Sequence, residues 1–341
     1  MDKSVTFAVA GSGKTSLLVA NLDLAKRFKI VTYTEANADS LRRKIIQKFG
    51  HLPKNIEVST YFSFLYGFCY RPFLSLEKKT KGVIFEFPTR NYALSDERRY
   101  MTPGRWLYSN RLASYVTRCC LLTAIRNRLE KYYDAFFVDE VQDFAGHDFN
   151  LLIEISKANV EINFVGDFYQ HTFDTSRDGN VNGTLHDNYD AYQKRFRDAG
   201  LRVDTDSLRS SRRCSSTVCS FITERLGITI LPHDERASEV RLENDPTAAE
   251  GLYRDMHVVK LFLKEHYKYE CFSQNWGASK GVDHYDHVCI VLSANNAKAL
   301  RNGKLQELPS STRNKLYVAC SRARGNLTFV PEVLLKHYKT V

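Results

Sequence analysis

None of the eight cysteines in this chain belongs to a Cys-x-x-Cys pair, and several lie within apolar runs. That spacing excludes the usual zinc and iron–sulfur motifs and favours reduced thiols. No apolar run is long enough to cross a membrane, and no cationic segment followed by an apolar one opens the chain. Internal repeats and low-complexity tracts are also missing. These absences predict a cytoplasmic protein without a membrane partner.

The length of 341 residues and the apolar content of 43% suit two domains that each build a full core. Alternating strand and helix patterns predict an α/β fold, with parallel sheets and helices on both faces. Forty-nine basic residues against thirty-nine acidic ones leave a net charge of +10, which attracts phosphate polyanions. The excess is spread in short clusters, some of which are expected to be solvated helix faces.

Residues 8–15, AVAGSGKT, follow an apolar strand pattern and precede an apolar helix pattern. In such a loop the glycines let backbone N–H groups surround phosphates, Lys14 reaches the β- and γ-phosphates, and Thr15 holds Mg²⁺. The strict pattern begins with glycine where this chain has Ala8, so a chance glycine-rich turn is the alternative. The predicted nucleotide-binding residues are Ala10, Gly11, Ser12, Gly13, Lys14, Thr15 and Ser16.

Two adjacent carboxylates, Asp139 and Glu140, end a second apolar strand pattern. In phosphate-loop enzymes the first acid holds Mg²⁺ and the second polarises the attacking water. A solvated acidic turn is the alternative for two isolated acids. A further strand pattern at 162–166 ends in Gly166-Asp167, with Gln170 three residues later.

Eight segments of the chain resemble, in order, helicase motifs I, Ia, Ib, II, III, IV, V and VI of the UvrD/Rep branch of superfamily I. They read AVAGSGKT, VTYTEAN, VSTYFSF, FFVDEVQD, VGDFYQ, SLRSSRRC, ASKGVDHYDHV and LYVACSRAR, and they span Ala8 to Arg324. The Asp-Glu-x-Gln-Asp and Val-Ala-x-Ser-Arg-Ala forms are similar to that branch rather than to the Pif1-like or viral branches.

The resemblance implies two RecA-like domains of a phosphate-loop NTPase, residues 1–200 and 201–341, with ATP and Mg²⁺ bound at the cleft between them. It places Lys14, Glu140 and Gln170 in the catalytic machinery of the first domain, with Thr15 and Asp139 as metal ligands. Arg213 and Arg322 of the second domain would neutralise charge on the γ-phosphate. A solvated basic face is the alternative for the arginines.

Departures from the family pattern concern recognition of the base. The family uses a glutamine before motif I to recognise adenine, and none stands among the seven residues before Ala8. Ser16 and Arg212 replace an arginine and an aromatic residue near the base, although a guanidinium can stack on a purine. In motif V, Gly281 and Asp283 are expected to contact the nucleotide, with Asp283 replacing a glutamate that reaches the ribose. The prediction is a relaxed preference for ATP over GTP.

The resemblance also implies contacts with single-stranded nucleic acid. Tyr33 and Phe173 match aromatic residues that stack on bases, each stack contributing about 1–3 kcal/mol. Thr34 and Thr60 are expected to contact the strand as well. Thr175 stands where a tryptophan is usual, so one stacking platform is missing. The alternative for both aromatics is a place in a buried core.

Short motif spacings predict that the inserted subdomains of larger relatives are reduced or absent. A small helical insert is expected at about 65–130, and the second insertion is expected to be missing. The aromatic run 61–68 follows a Ser59-Thr60 helix cap and is expected to form core rather than a base-stacking strip. The crossover between the domains is expected near 198–200.

Three functions fit these features. The first is a motor that moves along single-stranded DNA, with RNA as the alternative track and 3′ to 5′ as the direction implied by the family. The second is a regulatory or loading ATPase in a complex with a nuclease or other effector subunit, since the chain shows no nuclease motif of its own. The third is an NTPase switch independent of nucleic acid, which the basic charge and the aromatic matches disfavour.

Overall fold

The computed structural model describes residues 2–172 and 179–340. These residues form two compact units. The first unit comprises residues 2–7, 14–166 and 179–204, and the second comprises 8–13, 167–172 and 205–340. The segment 8–13 therefore belongs to the second unit, whereas Lys14, the next residue, begins the first helix of the first unit.

Four strands of the first unit are buried throughout or at all but their first residue, as expected where helices cover both faces of a parallel sheet; these are Lys3–Phe7, Phe28–Thr32, Ala135–Val138 and Glu161–Gly166. The strands are β1 (Lys3–Phe7), β2 (Phe28–Thr32), β3 (Ile56–Thr60), β4 (Gly82–Ile84), β5 (Trp106–Tyr108), β6 (Ala135–Val138), β7 (Glu161–Gly166) and β8 (Arg202–Asp204). Within the described residues, six of them form a parallel sheet in the order β3-β2-β6-β7-β1-β8. Strands β4 and β5 form a separate parallel pair.

The α-helices of the first unit range from four to fifteen residues. They are α1 (Lys14–Ala20), α2 (Glu35–Phe49), α3 (Tyr61–Phe64), α4 (Arg71–Leu74), α5 (Leu112–Arg118), α6 (Leu122–Tyr132), α7 (Gly146–Ile155) and α8 (Tyr189–Asp198). Thr34 caps α2 by accepting the Asn37 N–H, and Gly50 ends it in the left-handed conformation. A π-helical stretch, Leu65–Tyr70, joins α3 to α4 without a break.

The aromatic run after Thr60 is mainly core, as the sequence predicted. The Thr60 side chain accepts the Ser63 N–H at 3.4 Å and caps the helix, and Tyr61 and Phe64 are each 2% exposed. The segment from 65 to 130 contains the π-helical stretch, α4, α5 and most of α6. It also contains the β4–β5 pair, which the sequence patterns did not predict.

The second unit is built around another parallel sheet. Its strands are β9 (Ser210–Ser211), β10 (Leu231–Pro232), β11 (Val240–Leu242), β12 (Val258–Phe262), β13 (Ser273–Asn275), β14 (His287–Leu292) and β15 (Leu327–Pro331). In the part of the chain that the structure describes, five strands pair in the order β11-β15-β14-β12-β13, and β9 pairs with β10. The helices are α9 (Ser216–Leu226), α10 (Pro246–Arg254), α11 (Ala294–Arg301) and α12 (Ser310–Cys320). Apolar side chains from the sheet and from α9 and α12 form the core, with Trp276 fully buried.

Single turns of 3-10 helix connect several of these elements. They lie at Glu97–Arg99, Ser109–Arg111, Val141–Asp143, Phe168–Gln170, His266–Lys268, Gly277–Ser279, Leu305–Glu307, Glu332–Leu334 and Lys336–Tyr338.

Two parallel sheets with packed helices confirm the predicted α/β class and are consistent with two RecA-like domains. Within residues 2–172 and 179–340, no helix is long and apolar enough to span a bilayer. Over the same residues, no group of three or more His, Cys, Asp or Glu side chains is arranged to hold a metal ion.

Candidate nucleotide site and nucleic-acid interface

The glycine-rich loop begins directly after β1 and requires glycine at two positions. Gly11 and Gly13 have φ angles of 73° and 95°, a region that disfavours residues with a side chain. A Cβ on Gly11 would lie 2.7 Å from the Cβ of Arg213 and 2.9 Å from the Ser211 hydroxyl. The Gly11 carbonyl accepts the Arg212 N–H at 3.0 Å. The loop therefore packs closely on the motif IV segment, and only glycine fits at position 11.

At the start of α1, Thr15 meets the first of the two predicted carboxylates. The Thr15 hydroxyl donates to the Asp139 Oδ2 at 2.9 Å, and the Glu140 N–H donates to the Asp139 Oδ1 at 3.1 Å. Asp139 is 2% exposed and Lys14 is 8% exposed. Burial and the neighbouring Glu140 raise the pKa of Asp139 to about 7, against the opposing effect of Lys14.

These groups fit a bound magnesium ion. A hydroxyl and a carboxylate are the hard oxygen donors that Mg²⁺ takes from proteins, usually one or two at a time beside phosphate oxygens and water. A buried carboxylate whose charge is destabilised by a second acid gains most from a cation. Thr15 and Asp139 are therefore suited to the predicted metal site, and Lys14 lies in the same unit.

Glu140, the second acid, is held in an unusual backbone conformation. Its φ and ψ angles of 59° and 49° are left-handed, which costs energy for a residue with a side chain. Its Oε2 accepts a hydrogen bond from the Gln142 Nε2 at 2.5 Å. Gln142 is fully buried, so the orientation of the Glu140 carboxylate is fixed from the protein side. The role of Gln142 was not predicted, although the residue lies within the quoted motif II.

Gly166, at the end of β7, leaves space for the Gln142 side chain because it has no Cβ. A Cβ at this position would collide with the Gln142 Oε1 and lie 2.7 Å from the Val141 Cγ1. Strand β7 pairs with both β1 and β6, so Gly166 is placed between the strand before the loop and the strand before the acids. The sequence showed Gly166 only as the last residue of a strand pattern.

In the second unit, the Tyr317 hydroxyl joins three motifs. It donates to the Asp167 Oδ2 at 2.9 Å and accepts the Ala10 N–H at 2.8 Å. All three residues are buried, and burial together with Asp167 raises the pKa of Tyr317 well above its ordinary value. The hydroxyl therefore stays protonated and able to donate. Neither Tyr317 nor Asp167 was predicted as a site residue, although both lie within quoted motifs.

Gln170 is 3% exposed and lies in the turn that follows Asp167. Its N–H donates to the Asp167 carbonyl at 2.9 Å. The turn thus fixes the backbone of Gln170 relative to Asp167. A catalytic role for the Gln170 side chain stays a prediction.

The two predicted arginines share one acidic partner. Arg322 is 1% exposed, and its guanidinium donates to two backbone carbonyls at 3.1 Å each. Its Nη1 lies 3.6 Å from the Asp283 Oδ1, an oxygen that also accepts a hydrogen bond from Arg213. Burial and the nearby Arg213 lower the pKa of Arg322 to about 10, while Asp283 opposes that shift. Arg322 therefore stays charged near neutral pH, and Arg213 lies beside it.

The residues predicted near the base and ribose occupy more open positions. Arg212 and Gly281 are exposed, and Ser16 is exposed and accepts a hydrogen bond from the Lys44 Nζ at 3.3 Å. Asp283 is engaged by the two arginines, and its contact with a ribose stays a prediction. Arg236, which was not predicted, donates to the Arg212 carbonyl at 3.0 Å and fixes the backbone of that segment.

Tyr33, at the carboxyl end of β2, belongs to an aromatic cluster. Its ring stacks on Tyr61 with centroids 5.9 Å apart and meets the rings of Phe62 and Phe144 edge-on at 5.7 and 5.9 Å. Tyr33 remains half-buried, whereas Tyr61 is 2% exposed. One part of the ring is thus packed on the core and another part is accessible to a ligand.

The other predicted nucleic-acid residues either cap helices or lie outside residues 2–172 and 179–340. Thr34 caps α2 and Thr60 caps α3, so both hydroxyls have structural partners. Both residues lie near the carboxyl end of a β-strand, and from there they could contact the backbone of a nucleic acid. Phe173 and Thr175 lie outside the described residues.

No protein-family model matches the chain, and no curated protein matches it. Among solved structures, a complex of arterivirus nonstructural protein 10 (helicase) with DNA is 15% identical, with a TM-score of 0.49, over 98% of this chain and 63% of that one. The PRRSV helicase is 15% identical with a TM-score of 0.49, over 96% and 52% of the two chains.

A second structure of arterivirus nonstructural protein 10 (helicase) is 16% identical, with a TM-score of 0.47 and coverage of 96% and 59%. The chain thus spans between about half and two thirds of the length of these proteins. Similarity of this size decides neither family nor function.

Proposed function

We propose that the chain is an ATP hydrolase of the UvrD/Rep-like branch of superfamily I, working in the cytoplasm as a single-stranded nucleic-acid translocase or DNA helicase. The observation that carries the proposal is the grouping of Lys14, Thr15, Asp139 and Glu140 in the first unit, with Thr15 bonded to Asp139 at 2.9 Å. An isolated acidic turn on the surface would not be buried in this way. The division into domains at 1–200 and 201–341 is part of the proposal.

In this proposal the residues of the first unit bind the triphosphate and prepare water. Lys14 binds the β- and γ-phosphates, while Thr15 and Asp139 hold Mg²⁺, which when bound neutralises phosphate charge. Glu140 accepts a proton from the attacking water, and Gln142 fixes the direction of its carboxylate. Gln170 orients the same water. The left-handed backbone of Glu140 turns the side chain away from the direction that a continuing strand would give it.

Arg213 and Arg322 of the second unit stabilise the charge that spreads over the γ-phosphoryl oxygens in the transition state. Asp283 keeps the two cations beside each other until a phosphate competes for them. Arg212 stacks on the base. GTP is accepted along with ATP, because Ser16 and Arg212 replace the arginine and the aromatic residue that pack near the base in the family.

The nucleic-acid track in this proposal includes Tyr33, Thr34, Thr60 and Phe173. The half-buried Tyr33 ring supplies a stacking face, and the net charge of +10 attracts the phosphate backbone. DNA is the proposed track, with RNA as the alternative and 3′ to 5′ as the direction.

A second function, a regulatory or loading ATPase of a nuclease or effector complex, is favoured by one observation. The described residues 205–340 form one compact unit, and the first unit's insert is limited to short elements. Neither unit therefore contains a large inserted subdomain of the kind that touches the duplex in larger relatives. In that case strand separation would require the partner.

The experiment is steady-state hydrolysis of ATP and of GTP, with and without single-stranded DNA of increasing length. Lys14→Ala is the blank, and Tyr33→Ala tests the track against Tyr267→Ala, a matched control at an exposed tyrosine of the second unit. A translocase predicts stimulation that rises with strand length and falls only in Tyr33→Ala. Hydrolysis that is indifferent to DNA would refute the motor and favour a partner-controlled ATPase, and single-stranded RNA is tested in parallel.

A further inference from the structure

A cavity of about 740 Å³ lies in the first unit. Its wall includes Arg27, Lys54 and Asn55, which precede β2 and β3, and Tyr133, which precedes β6. The cavity thus begins at the amino ends of these strands and extends along the edge strand β3 to Ser59, and to Ser63 and Gly67 beyond its carboxyl end. The predicted nucleotide and nucleic-acid residues follow the carboxyl ends of the same strands. None of those predicted residues lines the cavity, and its volume is typical of a small-molecule pocket.

The side chains that line the cavity carry a net positive charge. Lys29 is buried and pairs with Glu57 at 2.5 Å, and Arg27 pairs with Asp134 at 2.8 Å. Lys54 and Arg128 also line the cavity, and within the described residues neither has a carboxylate within ion-pair distance. The wall thus has two cations without an acidic partner, which favours an anionic ligand.

Arg128 is held in place by aromatic rings. Its guanidinium lies 5.0 Å from the centre of the Phe68 ring and 4.9 Å from that of Tyr132. Both rings also line the cavity. The Arg128 Nε and the Ser59 hydroxyl are buried and have no hydrogen-bond partner within the described residues. A fixed cation, aromatic faces and an unused hydroxyl therefore surround one space, and such groups suit a ligand that is both anionic and aromatic.

The π-helical stretch leaves that space open. Gly67 lies in this stretch and in the cavity wall, and a Cβ placed on it would meet no atom within 4 Å. Irregular helical turns of this kind occur often at functional sites. Because no side chain is present at 67, the space beside Phe68 stays accessible.

We propose that this cavity binds a mononucleotide, either free or as one unit of a single strand. Lys54 and Arg128 bind the phosphate, the Tyr132 and Phe68 rings contact the base, and the Ser59 hydroxyl bonds to a polar edge of the ligand. A bare inorganic anion would use the cations but not the aromatic faces. The proposal does not depend on ATP hydrolysis, because none of these residues belongs to the predicted hydrolytic machinery.

The test is calorimetric titration of dTMP and of dAMP into the full chain carrying Lys14→Ala, so that the glycine-rich loop does not contribute. Binding is expected, and adding Arg128→Gln is expected to weaken it about tenfold, the loss of one charge-assisted contact. Tyr132→Ala should weaken it as well. Lys194→Gln is the matched control, because it removes one positive charge from an exposed site on α8.

Gly67→Leu provides a second variant that keeps every charge and fills the space. It is expected to abolish binding while the circular dichroism spectrum stays unchanged. Competition with a short oligothymidylate then separates the two sources of the ligand: a strand unit predicts that the oligomer displaces dTMP, and a free mononucleotide predicts that it does not. Equal affinity in Arg128→Gln and Lys194→Gln, or no binding of dTMP, dAMP or the oligomer, would overturn the proposal whether or not the chain hydrolyses ATP.

Discussion

Replacing Asp139 by asparagine should make the nucleotide-free protein more stable at pH 8 than the native chain. Burial and the adjacent Glu140 raise the pKa of Asp139 from an ordinary 3.8 to about 7. The folded state therefore binds the proton more tightly than the unfolded state. This tighter proton binding stabilises the folded state fully below pH 3.8, and the stabilisation is lost as the pH rises through 7.

The size of the effect follows from the two pKa values. A difference of one in pKa corresponds to about 1.4 kcal/mol, so between pH 4 and pH 8 the unfolding free energy of the native chain should fall by roughly 4 kcal/mol relative to that of Asp139→Asn. Asparagine has no charge to bury. Its amide can donate to the Thr15 hydroxyl while its oxygen accepts the Glu140 N–H, so both hydrogen bonds have a replacement.

The assay is urea unfolding of the native chain and of Asp139→Asn at several pH values between 4 and 8, without nucleotide or Mg²⁺. Asp134→Asn is the matched control, because Arg27 lowers the pKa of Asp134 to about 2. The Asp134 carboxylate thus stabilises the fold above the pKa that it has in the unfolded chain, and this stabilisation is lost as the pH falls through 2. Its pH dependence is therefore opposite in sign to that of Asp139. Parallel pH profiles for the native chain and Asp139→Asn would refute the claim that the buried charge is costly.

Three further predictions concern the contacts around this site. Gly166→Ala should lower the unfolding free energy by about 1–3 kcal/mol in urea unfolding, because the added Cβ displaces Gln142; an unchanged midpoint would contradict this. Tyr317→Phe should cost roughly 1–3 kcal/mol by the same measurement, since Asp167 loses its buried donor, and a loss confined to activity would contradict a structural role. Arg322→Ala should abolish turnover while nucleotide binding, measured by calorimetry, is nearly unchanged; lost binding would assign it to the ground state.

The parts of the fold that depend on local pattern could be predicted from the sequence. The apolar stretch 136–138 followed by two acids predicted a buried strand, and β6 runs from Ala135 to Val138. The Ser59-Thr60 pair predicted a helix start, and Thr60 is the cap. In each case neighbouring residues determine the structure, so a short window of sequence contains the necessary information.

The contacts that were missed join residues far apart in the chain. Tyr317 and Ala10 are separated by 307 positions, and no spacing rule predicts that the hydroxyl of one meets the N–H of the other. The motif VI pattern predicted a role for Arg322 and none for Tyr317. The pairing of Asp283 with both arginines likewise depends on how α12 packs against the segment after β13, and a sequence pattern does not specify that packing.

The π-helical stretch also has no sequence signature here. Residues 65–70 are apolar and aromatic, as an ordinary buried helix would be, and the extra residue per turn becomes visible only in the hydrogen bonds. The cavity beside Gly67 therefore could not be predicted, because its opening depends on that irregular turn.

The shared carboxylate of Asp283 leaves the arginine pair one negative charge short. Arg213 and Arg322 repel each other, and a single exposed acid, 59% accessible, cannot neutralise both. When an anion binds one arginine, Asp283 can pair fully with the other. The first anion therefore reduces the repulsion between the two arginines and does not have to break a neutral ion pair. The three side chains together therefore carry one excess positive charge in the folded protein. A ligand with one negative group would neutralise it.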